Sequence, residues 1–351
     1  MIGRSVGLCR TAVAVLVISA SVLSLAADTR TEGFSFVVIG HLRGERDDEP
    51  FFLMDELVER VTALKPDLVF LTGDLIFGDW HRQRVDEERI TAHWERLDQS
   101  LARIGATIYR VPGNHDINDP VTRDIWIERY GEPPQAVSFA GSRFLMLATP
   151  FIPVGYDAPV LPRPHARVED LPAGQIAFVR RELGLADDYD HVFLFMHHVL
   201  WWTPERKWWT EVHPLLVDRP VRAVFAGDYG PLKFTHMRRD GIDYFQSALE
   251  RKVPSEMLRR NAGLGRVMNH QFDTFLHVQV RGPQVDVEVK VLGATSSGKH
   301  TPERFEEIFR PEPPSAPRRG RRLVLAATLI ALGFAVGVAA TWIIAKIRRR
   351  G

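Results

Sequence analysis

The sequence predicts a mixed α/β sandwich built from two sheets. Three observations carry this: apolar runs of strand length, intervening segments with apolar residues at helical spacing, and polar residues beside glycine where the runs stop. Phe34 to Ile39 reads as a buried first strand, and Leu53, Leu57, Val58, Val61 and Leu64 then fall on one helical face. Leu68 to Leu71 is a second strand, followed by a helix face of Ile90, Trp94, Leu97, Leu101 and Ile104. Thr107 to Val111 is a third, ended by Pro112-Gly113. This βαβαβ order implies right-handed crossovers and parallel strands with helices over them. Ala136–Ala148 reads as a hairpin around Gly141-Ser142, and Val192–Met196 and Val221–Ala226 as two further buried strands. Phe234–Ser247 and Thr274–Leu292 read as antiparallel hairpins turning at Asp240-Gly241 and Gly282-Pro283.

Composition narrows the function. Of 351 residues 45% are hydrophobic and 25% charged, which is ordinary for a folded chain. The net charge of +1 hides an asymmetry: ten of the 45 basic residues lie in 1–27 and 317–351, which hold no Asp or Glu. The body between them carries 35 basic residues against 44 acidic ones. An acidic body argues against nucleic acid as a partner, because phosphate binding needs a cationic face. Cys9 is the only cysteine, so disulfide scaffolds and thiolate metal sites are excluded.

The two ends carry the expected location. Arg4 and Arg10, the apolar run Thr11–Leu25 and Ser24-Leu25-Ala26 have the three parts of a secretory signal over 1–27, with an uncleaved signal anchor as the alternative. Residues 296–322 read as a Pro/Arg-rich linker, Leu323–Ala345 as a transmembrane helix, and 346–351 as a basic cytoplasmic tail. Basic residues flank the helix equally, so orientation rests on the export signal, which places the main domain, 33–295, outside the cytoplasm. Gly333 and Gly337 form a Gly-x-x-x-Gly pair suited to homodimer contact in the membrane.

In folds of this kind ligands collect at the carboxyl ends of strands. Those ends are Gly40-His41-Leu42-Arg43-Gly44, Thr72-Gly73-Asp74, Gly113-Asn114-His115-Asp116, His197-His198 and Gly227-Asp228-Tyr229-Gly230. Each alone is an ordinary turn or polar edge. Together they assemble carboxylate, amide oxygen and imidazole, the donors a divalent Mn, Fe or Zn ion takes without thiolates. A second cluster, Trp201-Trp202 and Trp208-Trp209, reads either as indoles packed on a sheet or as an aromatic wall or bilayer-facing patch.

These blocks resemble the calcineurin-like metallophosphoesterases over roughly residues 34–293. Gly73-Asp74, Gly113-Asn114-His115-Asp116 and Phe195-Met196-His197-His198 match that family's second, third and fourth blocks. The resemblance implies a four-layer α/β/β/α sandwich of two mixed sheets. It also implies a site in which the second-block Asp bridges two metals, with hydroxide attack on a phosphate mono- or diester. Two blocks depart: His41-Leu42-Arg43 stands for Asp-x-His, and Gly227-Asp228-Tyr229-Gly230 for Gly-His-x-His.

Carried over by position, one ion has Asp74, Asn114, His197 and Asp228 as ligands. The second keeps only Asp74 and His41, since Arg43 has no acceptor and Gly230 no side chain. The expectation is one divalent ion per chain, with Arg43 and His115 as catalytic groups on the phosphate and Asp116 and His198 as additional site residues. His198 is expected to point to the opposite side from His197 by strand alternation. His115 is expected to titrate near neutrality. The substrate or ligand is a phosphorylated small molecule, lipid or glycan. The alternative is an inactive relative that binds a phosphorylated ligand or a protein partner at the cell envelope.

Overall fold

A computed structural model describes residues 33–44, 51–79, 85–150, 171–202, 207–228, 234–249 and 273–292. The expected signal, linker, membrane helix and tail, with Gly333 and Gly337, lie outside these residues, as do Tyr229 and Gly230. Among the described residues no helix is long and apolar enough to cross a membrane.

Among the described residues eleven strands form two sheets. The first has the order β11-β10-β1-β2-β3, from β1 (Phe34–Ile39), β2 (Leu68–Thr72), β3 (Thr107–Val111), β10 (Asp273–Arg281) and β11 (Gln284–Leu292). Its strands β1, β2 and β3 are parallel, as the βαβαβ pattern requires, while β10 runs antiparallel to both β1 and β11. The second sheet has the order β4-β5-β6-β7-β9-β8. Its strands are β4 (Gln135–Phe139), β5 (Ser142–Met146), β6 (His191–Met196), β7 (Val221–Ala226), β8 (Phe234–Arg239) and β9 (Ile242–Ser247). Here β5, β6, β7 and β9 are parallel, and the flanking strands β4 and β8 antiparallel. Both sheets are therefore mixed.

Among the described residues the α-helices are α1 (Met54–Leu64), α2 (Glu87–Ala102), α3 (Pro120–Tyr130), α4 (Ala173–Leu183) and the short α5 (His213–Leu216). Their starts follow from local chemistry. Asp86 accepts the backbone N–H of Arg89 at the head of α2, and Asp119 accepts that of Thr122 at the head of α3, where Pro120 supplies a preset φ. Each such cap stabilises its helix by about 1 kcal/mol.

Alternation along the strands sends side chains to two apolar layers per sheet. Val37, Ile39, Val69 and Leu71 face α1, α2 and α3, whereas Phe36, Val38, Leu68 and Phe70 face the other sheet. Beyond the second sheet, Leu145, Leu194, Met196 and Val224 pack with Phe178 and Val179 of α4 and Leu216 of α5. The order is thus helices, sheet, sheet, helices. The middle layer is aromatic: Phe70 of the first sheet stacks on Phe195 of the second with centroids 4.1 Å apart and rings 9° from parallel. Phe36 meets Phe193 edge-on at 5.1 Å.

The tryptophan cluster belongs to the outer helix layer. Trp201 and Trp208 are buried beside Tyr244, and the Trp209 indole N–H donates to the Trp201 carbonyl at 3.0 Å. Trp202 and Trp209 are half-buried against the same cluster, so the indoles pack on the sheet.

Two close approaches hold the carboxyl ends of the sheets together. A Cβ on Gly40, at the end of β1, would lie 2.4 Å from the Cα of Gly227, at the end of β7. A Cβ on Gly73, whose φ of +86° already favours glycine, would lie 2.5 Å from Nδ1 of His197. These glycines let strand ends from opposite sheets meet at a distance no other residue permits.

Candidate metal and phosphate site

At that meeting point lies a polar cluster. Asp74 is buried and takes a left-handed backbone, φ +53°, as does His41 at +55°. Strain of this kind concentrates at functional loops. Backbone hydrogen bonds hold the first loop on the second: the His41 N–H donates to the Gly73 carbonyl at 3.0 Å and the Arg43 N–H to the Asp74 carbonyl at 2.8 Å. Asp116 ties the second loop to the third. Its carboxylate accepts the N–H groups of Leu75 at 2.8 Å, Ile76 at 3.2 Å and Gly113 at 2.8 Å. Burial and the nearby Asp74 push its pKa up to about 7, against amide donors that favour the ionised form. Asp116 is therefore a clamp between loops.

Four cationic or ring groups surround the Asp74 carboxylate. Oδ1 lies 3.3 Å from His197 Nε2 and accepts the His115 backbone N–H at 3.0 Å. Oδ2 lies 3.4 Å from His41 Nδ1, 3.6 Å from Arg43 Nε and 4.0 Å from His115 Nε2. Burial would raise its pKa, but His197, His115, His41 and Arg43 outweigh that and hold it well below the usual carboxylate range. Asp74 is thus a carboxylate at any physiological pH.

His197 has the geometry of a ligand. Its Nδ1–H donates to the Thr72 carbonyl at 2.8 Å, which fixes the tautomer and leaves Nε2 to face Asp74 and, at 3.8 Å, Oδ1 of Asp228. That Nε2 is buried and has no hydrogen-bond partner among the described residues. Burial alone would lower the pKa, but the two carboxylates raise it. The same arrangement suits a divalent cation. Among the described residues, two groups of side chains bring ligand atoms within 4.8 Å of one another: His41, Asp74 and His197, and His197, His198 and Asp228.

The other expected site residues fall into place around these. Asp228 is half-exposed, and its N–H donates to the His197 carbonyl at 2.8 Å. Asn114 is half-buried and enters through His198, whose Nε2 lies 2.9 Å from its Oδ1. Arg43 lies against Asp74, with its guanidinium over the Phe77 ring at 5.4 Å. His115 donates from Nδ1 to the Phe77 carbonyl at 2.7 Å.

Two expectations are corrected by this geometry. His198 does not point away from the cluster: β6 ends at Met196, alternation ends with it, and the two histidine rings lie 4.6 Å apart. His115 does not titrate near neutrality. Burial lowers its pKa and Arg43 adds to that, against Asp74, bringing it to about 4. His41 is likewise held well below the ordinary histidine value, by burial and by Arg43.

Sequence reasoning missed the supports. The carbonyls of Thr72 and Phe77 carry no sequence signal. Thr149 and Gln175 were also missed, although Thr149 stands just past the end of β5, where the strand-end rule would have found it.

A mixed α/β sandwich with imidazoles and carboxylates converging where the two sheets' strands end defines a candidate metal-binding site. Residues 41–229 match the calcineurin-like phosphoesterase family, more than half of the chain, and the chain belongs to that family. Among solved structures it resembles a dimetal phosphatase from Danio rerio, at 14% identity and a TM-score of 0.51, covering 74% of this chain and 95% of that one. It also resembles zinc-bound Vps29 from Entamoeba histolytica, at 12% identity and a TM-score of 0.33, over 76% of this chain and 97% of that one. No curated relative matches.

Proposed function

We propose that the domain hydrolyses a phosphate mono- or diester with one divalent ion, held by Asp74, Asn114, His197 and Asp228. The observation that carries this is His197: a buried Nε2 without a hydrogen-bond partner among the described residues, its tautomer fixed from behind, facing two carboxylates. When bound, a Mn, Fe or Zn ion would supply Lewis-acid stabilisation of the phosphoryl oxygens and activate water as nucleophile.

The chain's own groups do the rest. Arg43, beside Asp74, offers a fixed positive charge and a planar fork suited to two phosphate oxygens. His115 carries its proton on Nδ1, bound to the Phe77 carbonyl, so at neutral pH its Nε2 accepts a proton rather than donating one. That suits a base or an orienting acceptor for the attacking water. Asp116 and the Gly73 turn hold the loops in register.

The Arg43–Asp74 approach favours a second reading: an internal cation in place of an ion, in a domain that binds a phosphorylated ligand without turning it over. Turnover of an aryl phosphodiester by the full chain separates the two. Mn²⁺-dependent hydrolysis abolished by EDTA and by Asp74→Asn supports the enzyme, and saturable binding of phosphate without turnover supports the binding domain.

The proposed setting is the outer face of a membrane, with an exported domain tethered by the 323–345 helix and phosphorylated small molecules, lipids or glycans as substrates. Support for it is the export signal at 1–27 and the uncharged 23-residue segment near the other end. Protease added to intact cells or spheroplasts should degrade the domain, and full protection until lysis would contradict this topology.

A further inference from the structure

We propose that His198 is a positioning residue whose Nε2–H fixes the side-chain oxygen of Asn114, and that Thr149 sets the tautomer that makes this possible. The inference rests on the metal reading above, in which Asn114 is a ligand.

Proton accounting carries it. Thr149 and His198 are both buried. The His198 backbone N–H donates to Thr149 Oγ1 at 3.1 Å, so one lone pair of that hydroxyl is used. The hydroxyl proton needs an acceptor, because a buried donor left unmade costs about 1–3 kcal/mol. Among the described residues the acceptor in reach is His198 Nδ1, at 2.6 Å. Nδ1 therefore presents its lone pair, and the ring proton sits on Nε2. From there it points at Asn114 Oδ1, 2.9 Å away. An N–H there selects the amide oxygen, not the NH₂, and uses one of its two lone pairs, leaving the other for a cation.

The chain of contacts reaches back to the outer helix layer. Gln175 of α4 accepts the Ala148 N–H at 2.8 Å and donates to the Ala148 carbonyl, fixing the residue before Thr149. His198 thus differs from its neighbour in kind. His197 has one nitrogen fixed and one facing carboxylates, whereas both nitrogens of His198 are engaged.

The experiment is a Mn²⁺ titration of the full chain followed by electron paramagnetic resonance, with pulsed detection of histidine ¹⁴N couplings. His198→Ala should weaken Mn²⁺ by about 10–100-fold, the usual cost of losing a group that orients a ligand. Asn114→Ala should cost at least as much. In the Asn114→Ala background, His198→Ala should add about twofold or less, since its route to the ion is gone. His198→Gln, which keeps an N–H donor, should recover most of the loss, and Thr149→Val should reproduce part of it. The ¹⁴N couplings of bound Mn²⁺ should be unchanged by His198→Ala.

Losses that multiply in the double variant would overturn the proposal, as would a ¹⁴N coupling that disappears with His198. Thr149→Val, nearly isosteric, carries the test if His198→Ala does not fold, and full wild-type affinity in it would equally overturn the proposal. Wild-type protein that takes up no Mn²⁺ would overturn the metal reading and this inference with it.

Discussion

The two sides of the Asp74 carboxylate are built differently. On the Oδ1 side stands His197 with a buried Nε2 facing carboxylates, with Asp228 beyond it and Asn114 held through His198. On the Oδ2 side stand Arg43 and His41, a fixed cation and a ring held neutral by burial. One side presents donors to a cation and the other already contains one. A protein-borne charge can offset the loss of a metal electrostatically, but it cannot activate water or exchange ligands. In the proposed one-ion reading the two sides have separate jobs, and each can be broken separately.

The largest effect should come from the first side. Asp74→Asn or His197→Ala should weaken Mn²⁺ by more than the roughly 10–100-fold that losing a group behind a ligand costs, because each removes a ligand itself. Calorimetry reads this directly, and a loss under tenfold would remove these residues from the ligand set.

Breaking the second side should spare the ion and damage catalysis. Arg43→Ala should lower kcat by about 10²–10³, as removal of a positioned charge does, with metal content unchanged. Arg43→Lys should recover only part, because a point charge lacks the fork. Unchanged turnover in Arg43→Ala would reduce Arg43 to an ion pair with Asp74. Restoring the family pattern with His41→Asp, Arg43→His and Gly230→His should add a second ion, read by elemental analysis. A count unchanged from wild type would show that the loops no longer fit two.

A smaller effect tests the field at Oδ2. His115 titrates at about 4 when folded and near the ordinary histidine value of 6.5 when unfolded. Only the unfolded chain takes up that proton between those pH values, so this group's contribution is fully present above 6.5 and is lost as pH falls toward 4. Metal-free wild type should lose about 3 kcal/mol more stability than His115→Asn over that window. Denaturant curves at the two pH values measure it, and equal losses would contradict the lowered pKa.

The frame of this molecule is legible where chemistry repeats. FSFVVI and LVFL are apolar at all positions but Ser35 because strands between two apolar layers have no polar face; the first coincides with β1, and β2 runs one residue further, to Thr72. The hairpin turns at Asp240-Gly241 and Gly282 announce themselves through residues that tolerate positive φ. By contrast α3 escaped notice, since its buried side is Thr122, Ile125 and Trp126, too few apolar positions for a periodic signal. Nothing in a linear pattern says that β10 pairs with β1 and not with β9. The strand-end rule located the described residues of the cluster, but orientation depended on backbone carbonyls and on the fact that strand alternation stops with Met196, before the two histidines. That is why the orientation of His198 and the titration of His115 differ from what the sequence suggests. Which lone pair faces the cavity is a property of the fold.

In the proposed site one side of Asp74 holds an ion and the other does not. Elemental analysis of the full-length protein, loaded with excess Mn²⁺ or Zn²⁺ and freed of unbound metal, tests this most directly. About one tightly held ion per chain is expected, lost in His197→Ala and retained in Arg43→Ala. Two tightly held ions in the wild type would contradict it, by showing that His41 and Arg43 leave room for a second. No ion at all would contradict it from the other direction and make the cluster a binding site for phosphate alone.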